Sequence, residues 1–240
     1  MGKLLTELPP LVAILSEVGE FMYQRIDGHN WRHIYLVGDL HGCLAQLAEQ
    51  LRLVRFDPWQ DLVISVGDLI DRGPDSLGCL ALIDKPWFRA VQGNHEVMAL
   101  NSLRNTSHNA EDGFLWEMNG GRWFSELNEE EKKRAEALFR RCKTLPLIIE
   151  LLVQDKRIII AHADYPLAQW KWQADVDPGQ VVWSRARLQR NIKGKGELIR
   201  GADAFYFGHT PLKKPQHFFN QHYIDTGAVF GNTLTLVTLQ

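Results

Sequence analysis

The sequence predicts an α/β domain, and three observations carry that expectation. Apolar strands alternate with amphipathic helices from Trp31 onward, strand ends run into glycine-flanked turns, and 45% of the 240 residues are hydrophobic, ample for one continuous core. The first strand covers residues 33–37. After the turn at Asp39, Leu44, Leu47, Ala48 and Leu51 recur at three- and four-residue steps, which makes one apolar helical face. A second strand follows at 62–66, and a helix at 77–83 has Asp75 or Ser76 available as its cap. The third strand, 88–91, leads through Asn94 into a helix over about 96–103. Between residues 105 and 146 the rhythm becomes purely helical, which predicts a separate helical cap. It begins with Trp116 and Trp123 around the Gly120-Gly121 break. Its second helix starts at Asn128, with Glu129, Glu130 and Glu131 in the first turn and Arg140, Arg141 and Lys143 near the end, as the helix dipole favours. Strands return at 147–152, 158–160, 205–207, 223–224 and 233–239, and these are expected to form a second, mixed or antiparallel sheet. Gly227, Gly231 and Asn232 supply the turn before the last of them.

Residues 22–240 thus read as a single domain behind an extension, 1–21, of unassigned role. Within that extension, residues 11–15 form a short apolar patch behind Pro9 and Pro10, with only Lys3 ahead of it; this is a poor secretory signal. A loosely attached helix, or a true start at Met22, is the expectation. No apolar run approaches the roughly 20 residues of a membrane span. A formal net charge of −2 provides no basic field for nucleic acid. Three cysteines, Cys43, Cys79 and Cys142, lack Cys-x-x-Cys spacing and are odd in number, which argues against a disulfide framework or a zinc ribbon and fits a reducing cytoplasm.

The chemistry sits at the strand ends. Three turns read Gly38-Asp39-Leu40-His41-Gly42, Gly67-Asp68-Leu69-Ile70-Asp71-Arg72-Gly73 and Gly93-Asn94-His95-Glu96, and His162 and His209 end later apolar runs. Ligands at the carboxyl ends of adjacent strands converge beyond the sheet edge, so Asp39, His41, Asp68, Asn94, His162 and His209 can share one site. Singly, each has a structural explanation as a turn or cap residue; together they make coincidence improbable. The set contains no thiolate, and its oxygen and imidazole donors suit two divalent ions, Mn, Fe or Zn. A pair of ions about 3.5–4 Å apart can hold a hydroxide and clamp the oxygens of an in-line displacement. The magnitudes agree: the slowest phosphate-monoester hydrolyses need about 10²¹ in rate, roughly 28 kcal/mol, and a general acid alone gives about 10²–10⁴.

With Ala161-His162-Ala163-Asp164, Trp183-Ser184-Arg185, Gly208-His209-Thr210 and Asp225-Thr226-Gly227-Ala228-Val229, these motifs resemble the metallophosphoesterases of the PPP type, in particular the compact serine/threonine protein phosphatases of bacteria and bacteriophage lambda. The resemblance covers residues 23–239. It implies a calcineurin-like fold, two mixed β-sheets packed as a sandwich flanked by helices. It implies that Asp39 and His41 hold one metal, that Asp68 bridges, and that Asn94, His162 and His209 hold the other. By the same likeness Asp71 orients His95, which protonates the leaving alcohol, while Arg72 and Arg185 grip the phosphoryl oxygens with their planar forks. Mn²⁺ is the expected metal, and phosphorylated proteins the expected substrates.

Other residues carry weaker expectations. Cys43 opens a helix, where a thiolate is favoured, although ordinary packing explains it as well. Asp164 and Asp225 read equally as partners of ligands or as turn formers. His29, His33, His108, His217 and His222 read as structural or surface residues. The basic stretch 185–200, with Arg187, Arg190, Lys193 and Lys195, is expected to be a solvated loop, and a second reading has it border the cleft and attract acidic or phosphorylated chains. Among rival functions, a symmetrical dinucleoside tetraphosphate hydrolase shares the metal frame, but Asp71 and Glu96 count against it. A non-catalytic phosphate-binding scaffold is disfavoured by the complete ligand set.

Overall fold

In the computed structural model, residues 22–104 and 109–240 are described. The extension assigned to 1–21 and His108 lie outside them. Among the described residues, ten strands form two sheets. One has four strands in the order β10-β2-β3-β4: Leu236–Thr238, Ile34–Val37, Leu62–Ser65 and Phe88–Ala90. The other has six in the order β1-β5-β6-β7-β9-β8: Tyr23–Asp27, Ile148–Val153, Lys156–Ala161, Ala204–Phe207, Gln221–Tyr223 and Gln216–Phe218. Both sheets are mixed: β2, β3 and β4 run parallel while β10 joins β2 antiparallel, and β1–β5, β6–β7 and β7–β9 are parallel whereas β5–β6 and β8–β9 are antiparallel.

The period-two alternation of the strands explains the layering. Ile34, Leu36, Leu62 and Ile64 of the first sheet meet Ile149, Leu151, Val153, Ile158, Ile160 and Tyr206 of the second in one core between the sheets. Tyr35, Val37 and Val63 point the other way, beneath helices α1 (Leu44–Leu53), α2 (Ser76–Leu80) and α3 (Asn94–Ser102). Ile148, Ile159, Phe205 and Phe207 face outward on the second sheet, under α7 (Pro178–Trp183) and α8 (Ala186–Ile192). Because both faces of the central strands are covered, they read as continuous apolar runs.

Several expectations need correction. The last strand pairs with β2, in the first sheet rather than the second. A strand precedes Trp31, since Tyr23–Asp27 pairs with β5. The helical segment comprises α4 (Asn109–Trp116), a π-turn at Glu117–Gly121, α5 (Trp123–Glu126) and α6 (Glu129–Cys142). It is not separate from the rest: Trp116, Ala135, Leu138, Phe139 and Cys142 belong to the same apolar cluster as Tyr35, Leu80 and Phe88. Asn128 caps α6 by accepting from the N–H groups of Glu130 and Glu131. Residues 186–192 of the presumed basic loop are helical, and Arg187 is buried, donating to Asp164 at 2.7 Å and to the carbonyls of Tyr165 and Leu167. Lys193 and Lys195 are exposed. No helix among the described residues is long and apolar enough to cross a membrane.

Candidate active site

The turns after β2, β3, β4, β6 and β7 meet at one end of the sandwich, and their backbones are bonded to one another. The Leu40 and His41 N–H groups donate to the Asp68 carbonyl at 3.0 and 2.8 Å, and Gly42 N–H to the Leu69 carbonyl. The His95 N–H donates to Asp68 Oδ1 at 3.0 Å, and the His209 N–H to Asp39 Oδ2 at 2.9 Å. Close approach explains two of the glycines. A Cβ on Gly93 would collide with the Asp68 carboxylate, and one on Gly208 with that of Asp39. The backbone strain, however, lies on the functional residues themselves: His41, Asp68, Asp71, Arg72 and His209 all have left-handed φ, between 41° and 75°. Non-glycine residues are held so only where surrounding contacts over-determine them.

Two three-donor groups result, both buried and both containing Asp68: His41, Asp68 and His95, and Asp68, His162 and His209. Asp68 Oδ2 lies 3.6 Å from His41 Nε2 and 3.4 Å from His162 Nε2. Asn94 Oδ1 joins the second group at 2.9 Å from His162 Nε2 and 2.8 Å from His209 Nδ1. The Asp39 carboxylate is buried in the same web, turned to the His209 backbone. All six sequence-predicted ligands therefore stand together.

The donor chemistry fits divalent cations. His41 Nδ1 sits 2.8 Å from the Ile70 carbonyl and His162 Nδ1 2.8 Å from that of Val66, which places the ring proton on Nδ1 and turns the Nε2 lone pair inward. Without a proton on His162 Nε2, that nitrogen and the Asn94 oxygen would be two acceptors in contact, and a cation between them would take that proton's place. Burial pushes His41 down to about 4 and His209 far below its ordinary value, keeping both neutral. Burial raises Asp39, aided by Asp225 and Asp68, and would raise Asp68, but the rings of His162, His95 and His41 hold Asp68 well below the usual range. His162 is raised because Asp68 outweighs its burial. A divalent ion supplies the positive charge that this proton otherwise provides.

Beside the ligands, His95 Nδ1 is 2.6 Å from Asp71 Oδ2, while its Nε2 stays 4.0 Å from Asp68 Oδ2. Arg72 is exposed at the rim, and Arg185 is exposed in part, its guanidinium reaching inward. Arg72 Nη1 is 2.8 Å from His41 Nε2 and its guanidinium lies 5.9 Å from the Phe230 ring; burial lowers Arg185, with the Asp68 charge opposing. Three residues to which the sequence assigned no role at the site take part in it. Glu96 accepts from the N–H groups of Asp68, Leu69 and Gly93 at 2.9, 2.8 and 2.8 Å, pinning the second turn to the third. Its position three residues after Gly93 was the available signal, a capping pattern that here reaches a second strand. Trp116 and Trp123 donate to Asp71.

Cys43 is buried and burial raises its thiol, so ordinary packing describes it. Asp164 binds Arg187, and Asp225 accepts from Gly227 N–H within its turn, an arrangement of structure in both cases. His217 and His222 stack at 4.4 Å on the second sheet.

A strand-end cluster of this make-up, on two mixed sheets, defines a metallophosphoesterase. The model of the calcineurin-like phosphoesterase family matches residues 32–213, and the chain belongs to that family. Over 92% of its length and 98% of the relative's it is 55% identical to serine/threonine-protein phosphatase 1 of Salmonella typhimurium. Serine/threonine-protein phosphatase 2 of Escherichia coli is 43% identical over 86% of this chain and 92% of that relative. Among solved structures, one described as a diadenosine tetraphosphatase superposes with a TM-score of 0.66, covering 90% of this chain and 93% of its own, at 23% identity, a likeness of fold.

Proposed function

We propose that this chain is a metal-dependent phosphoprotein phosphatase that hydrolyses phosphoserine and phosphothreonine monoesters, with phosphotyrosine and phosphohistidine as further substrates. The observation that carries the reading is the buried cluster around Asp68, with His41 and His95 on one side and His162 and His209 on the other, in which His95 is paired in turn with Asp71. Asp39 and His41 would hold one ion and Asn94, His162 and His209 the other, with Asp68 between them. Mn²⁺ is the proposed metal, since the donors are hard oxygens and imidazoles with no thiolate. When bound, the ions supply an acidified water and neutralise phosphoryl charge.

The chain's own groups do the rest. Arg72 and Arg185 grip two phosphoryl oxygens and orient the phosphorus for in-line attack by water. Asp71 holds the Nδ1–H of His95, leaving Nε2 free to face the leaving oxygen. As the bond from phosphorus to the serine oxygen breaks, His95 Nε2–H gives its proton to that oxygen, and the products are inorganic phosphate and the free hydroxyl. The exposed rim suits a phosphoryl group carried on a protein chain, and the net charge of −2 gives no basic field for nucleic acid. Three free cysteines accord with a reducing cytoplasm.

The test titrates metal-free protein with Mn²⁺ while following metal stoichiometry and hydrolysis of a phosphoserine protein beside diadenosine tetraphosphate. Activity on the phosphoprotein should rise as two ions bind. Preferential cleavage of the dinucleotide would assign the chain to the tetraphosphatases, and a loaded protein inert towards both would leave a phosphate-binding scaffold.

A further inference from the structure

Asp71 is fully buried and accepts from three rings. His95 Nδ1 approaches Oδ2 at 2.6 Å, the Trp123 Nε1–H donates to Oδ1 at 2.8 Å, and the Trp116 Nε1–H bridges both oxygens at 3.0 Å. Four contacts use the four lone-pair directions a carboxylate offers. Both indoles come from the helical segment, 45 and 52 residues further along the chain. That segment is fitted to the purpose. Gly121 leaves room for the Trp116 ring, where a Cβ would collide with it, and Gly120, at φ 111°, brings its carbonyl to the Arg72 N–H. Phe124 and Phe139 brace the two indoles, with ring centres 5.5–6.3 Å away.

We propose that Trp116 and Trp123 are positioning residues for the acid step: their indole N–H groups fix the Asp71 carboxylate, which fixes the ring of His95. This rests on the phosphatase reading. A buried carboxylate with only His95 as partner would leave lone pairs unsatisfied and its torsion free. Asp71 and Arg72 are both in the left-handed region, at φ 75° and 69°, so the backbone there needs outside restraint. The Ser76 hydroxyl, which accepts from the Asp71 N–H at 2.9 Å, supplies part of it and the indoles supply the rest. The helical segment thereby becomes a wall of the reaction site as well as a layer of core.

The test replaces each indole with phenylalanine, which keeps an aromatic ring against Phe124 and Phe139 but removes the donor. Phenyl phosphate, a poor leaving group, is compared with p-nitrophenyl phosphate, which needs little protonation, on Mn²⁺-saturated protein, with Asp71→Asn alongside. For phenyl phosphate kcat should fall about tenfold in Trp116→Phe and in Trp123→Phe and about a hundredfold in the double variant, which reaches the lower end of the about 10²–10⁴ that general acids contribute. For p-nitrophenyl phosphate the fall should stay under about threefold, with KM and manganese content unchanged. Independently of activity, Asp71→Asn should shift two of the eight tryptophan indole N–H resonances upfield and leave the others in place. Equal losses on both esters, no loss, lost manganese or unmoved resonances would each overturn the assignment while wild type and Asp71→Asn still show the leaving-group contrast. A loaded wild type inert to both esters would overturn the phosphatase reading, and this inference with it.

Discussion

The two halves of the site are held by different means. On the ligand side, four of the six residues are fixed by the backbone of a neighbouring strand-end turn: Asp39 by the His209 N–H, Asp68 by the His95 N–H, His41 by the Ile70 carbonyl and His162 by the Val66 carbonyl. On the acid side, Asp71 is fixed by side chains, and two of the three belong to distant helices. A site anchored in the sandwich core inherits the rigidity of the sheets, whereas a dyad anchored in the helical segment inherits whatever motion that segment has. Metal retention and proton delivery should therefore be separable by mutation.

The largest separation is expected between Asp68 and its neighbour His95. Asp68→Asn removes the carboxylate common to both donor groups, so it should lose metal as well as about 10³-fold or more in kcat, several kcal/mol of transition-state stabilisation. His95→Asn should cost about 10²–10⁴ while both ions stay bound. Stoichiometry measured beside kcat decides the matter, and metal loss in His95→Asn would merge the two halves.

A smaller effect should come from Glu96. Exchange for Gln removes the charge and turns one acceptor into a donor facing the N–H groups of Asp68, Leu69 and Gly93. Because this group acts on a ligand from behind, Mn²⁺ affinity should drop about 10–100-fold, read by competition with a chelator. A variant that binds as tightly as wild type would show that the turns hold themselves.

The sheet shared by both halves offers the smallest effect. Asp61, fully buried beside β3, receives Nε and Nη2 of Arg32 at 2.9 and 2.7 Å and the Asp57 N–H at 2.8 Å. Burial alone would raise its pKa, but these bonds outweigh it and hold it below the ordinary value. A carboxylate depressed in the folded state binds its proton later than in the unfolded chain. Its stabilisation is thus complete above about pH 4, the unfolded value, and is lost as pH falls through the folded one. Urea unfolding should show wild type's margin over Asp61→Asn narrowing below about pH 4, with metal binding at neutral pH unaffected.

What could be read in the sequence follows the same division. The candidate ligands lie in short local motifs, and the alternation of strands with helices places those motifs at strand ends, so the parallel core of the first sheet and all six candidates could be picked out from neighbours alone. Pairing across the chain could not. Leu236–Thr238 joins β2 rather than the second sheet because partner choice depends on packing. Tyr23–Asp27 carries the polar run YQRID and so gives no apolar signal, yet it completes the second sheet beside β5. Arg187 reads as one charge in a basic run, and only the fold brings Asp164 beside it. Trp116 and Trp123 read only as aromatics beside the Gly120-Gly121 break; that their N–H groups meet Asp71 depends on a contact across some fifty residues. The left-handed strain on His41, Asp68, Asp71, Arg72 and His209 has no signature in residue type.

Electron paramagnetic resonance of the Mn²⁺-loaded protein tests the shared-carboxylate arrangement most directly. Two ions per chain joined through Asp68 should give an exchange-coupled spectrum, and Asp68→Asn should abolish the coupling. One ion per chain, or two ions with the uncoupled six-line pattern of isolated Mn²⁺, would contradict it.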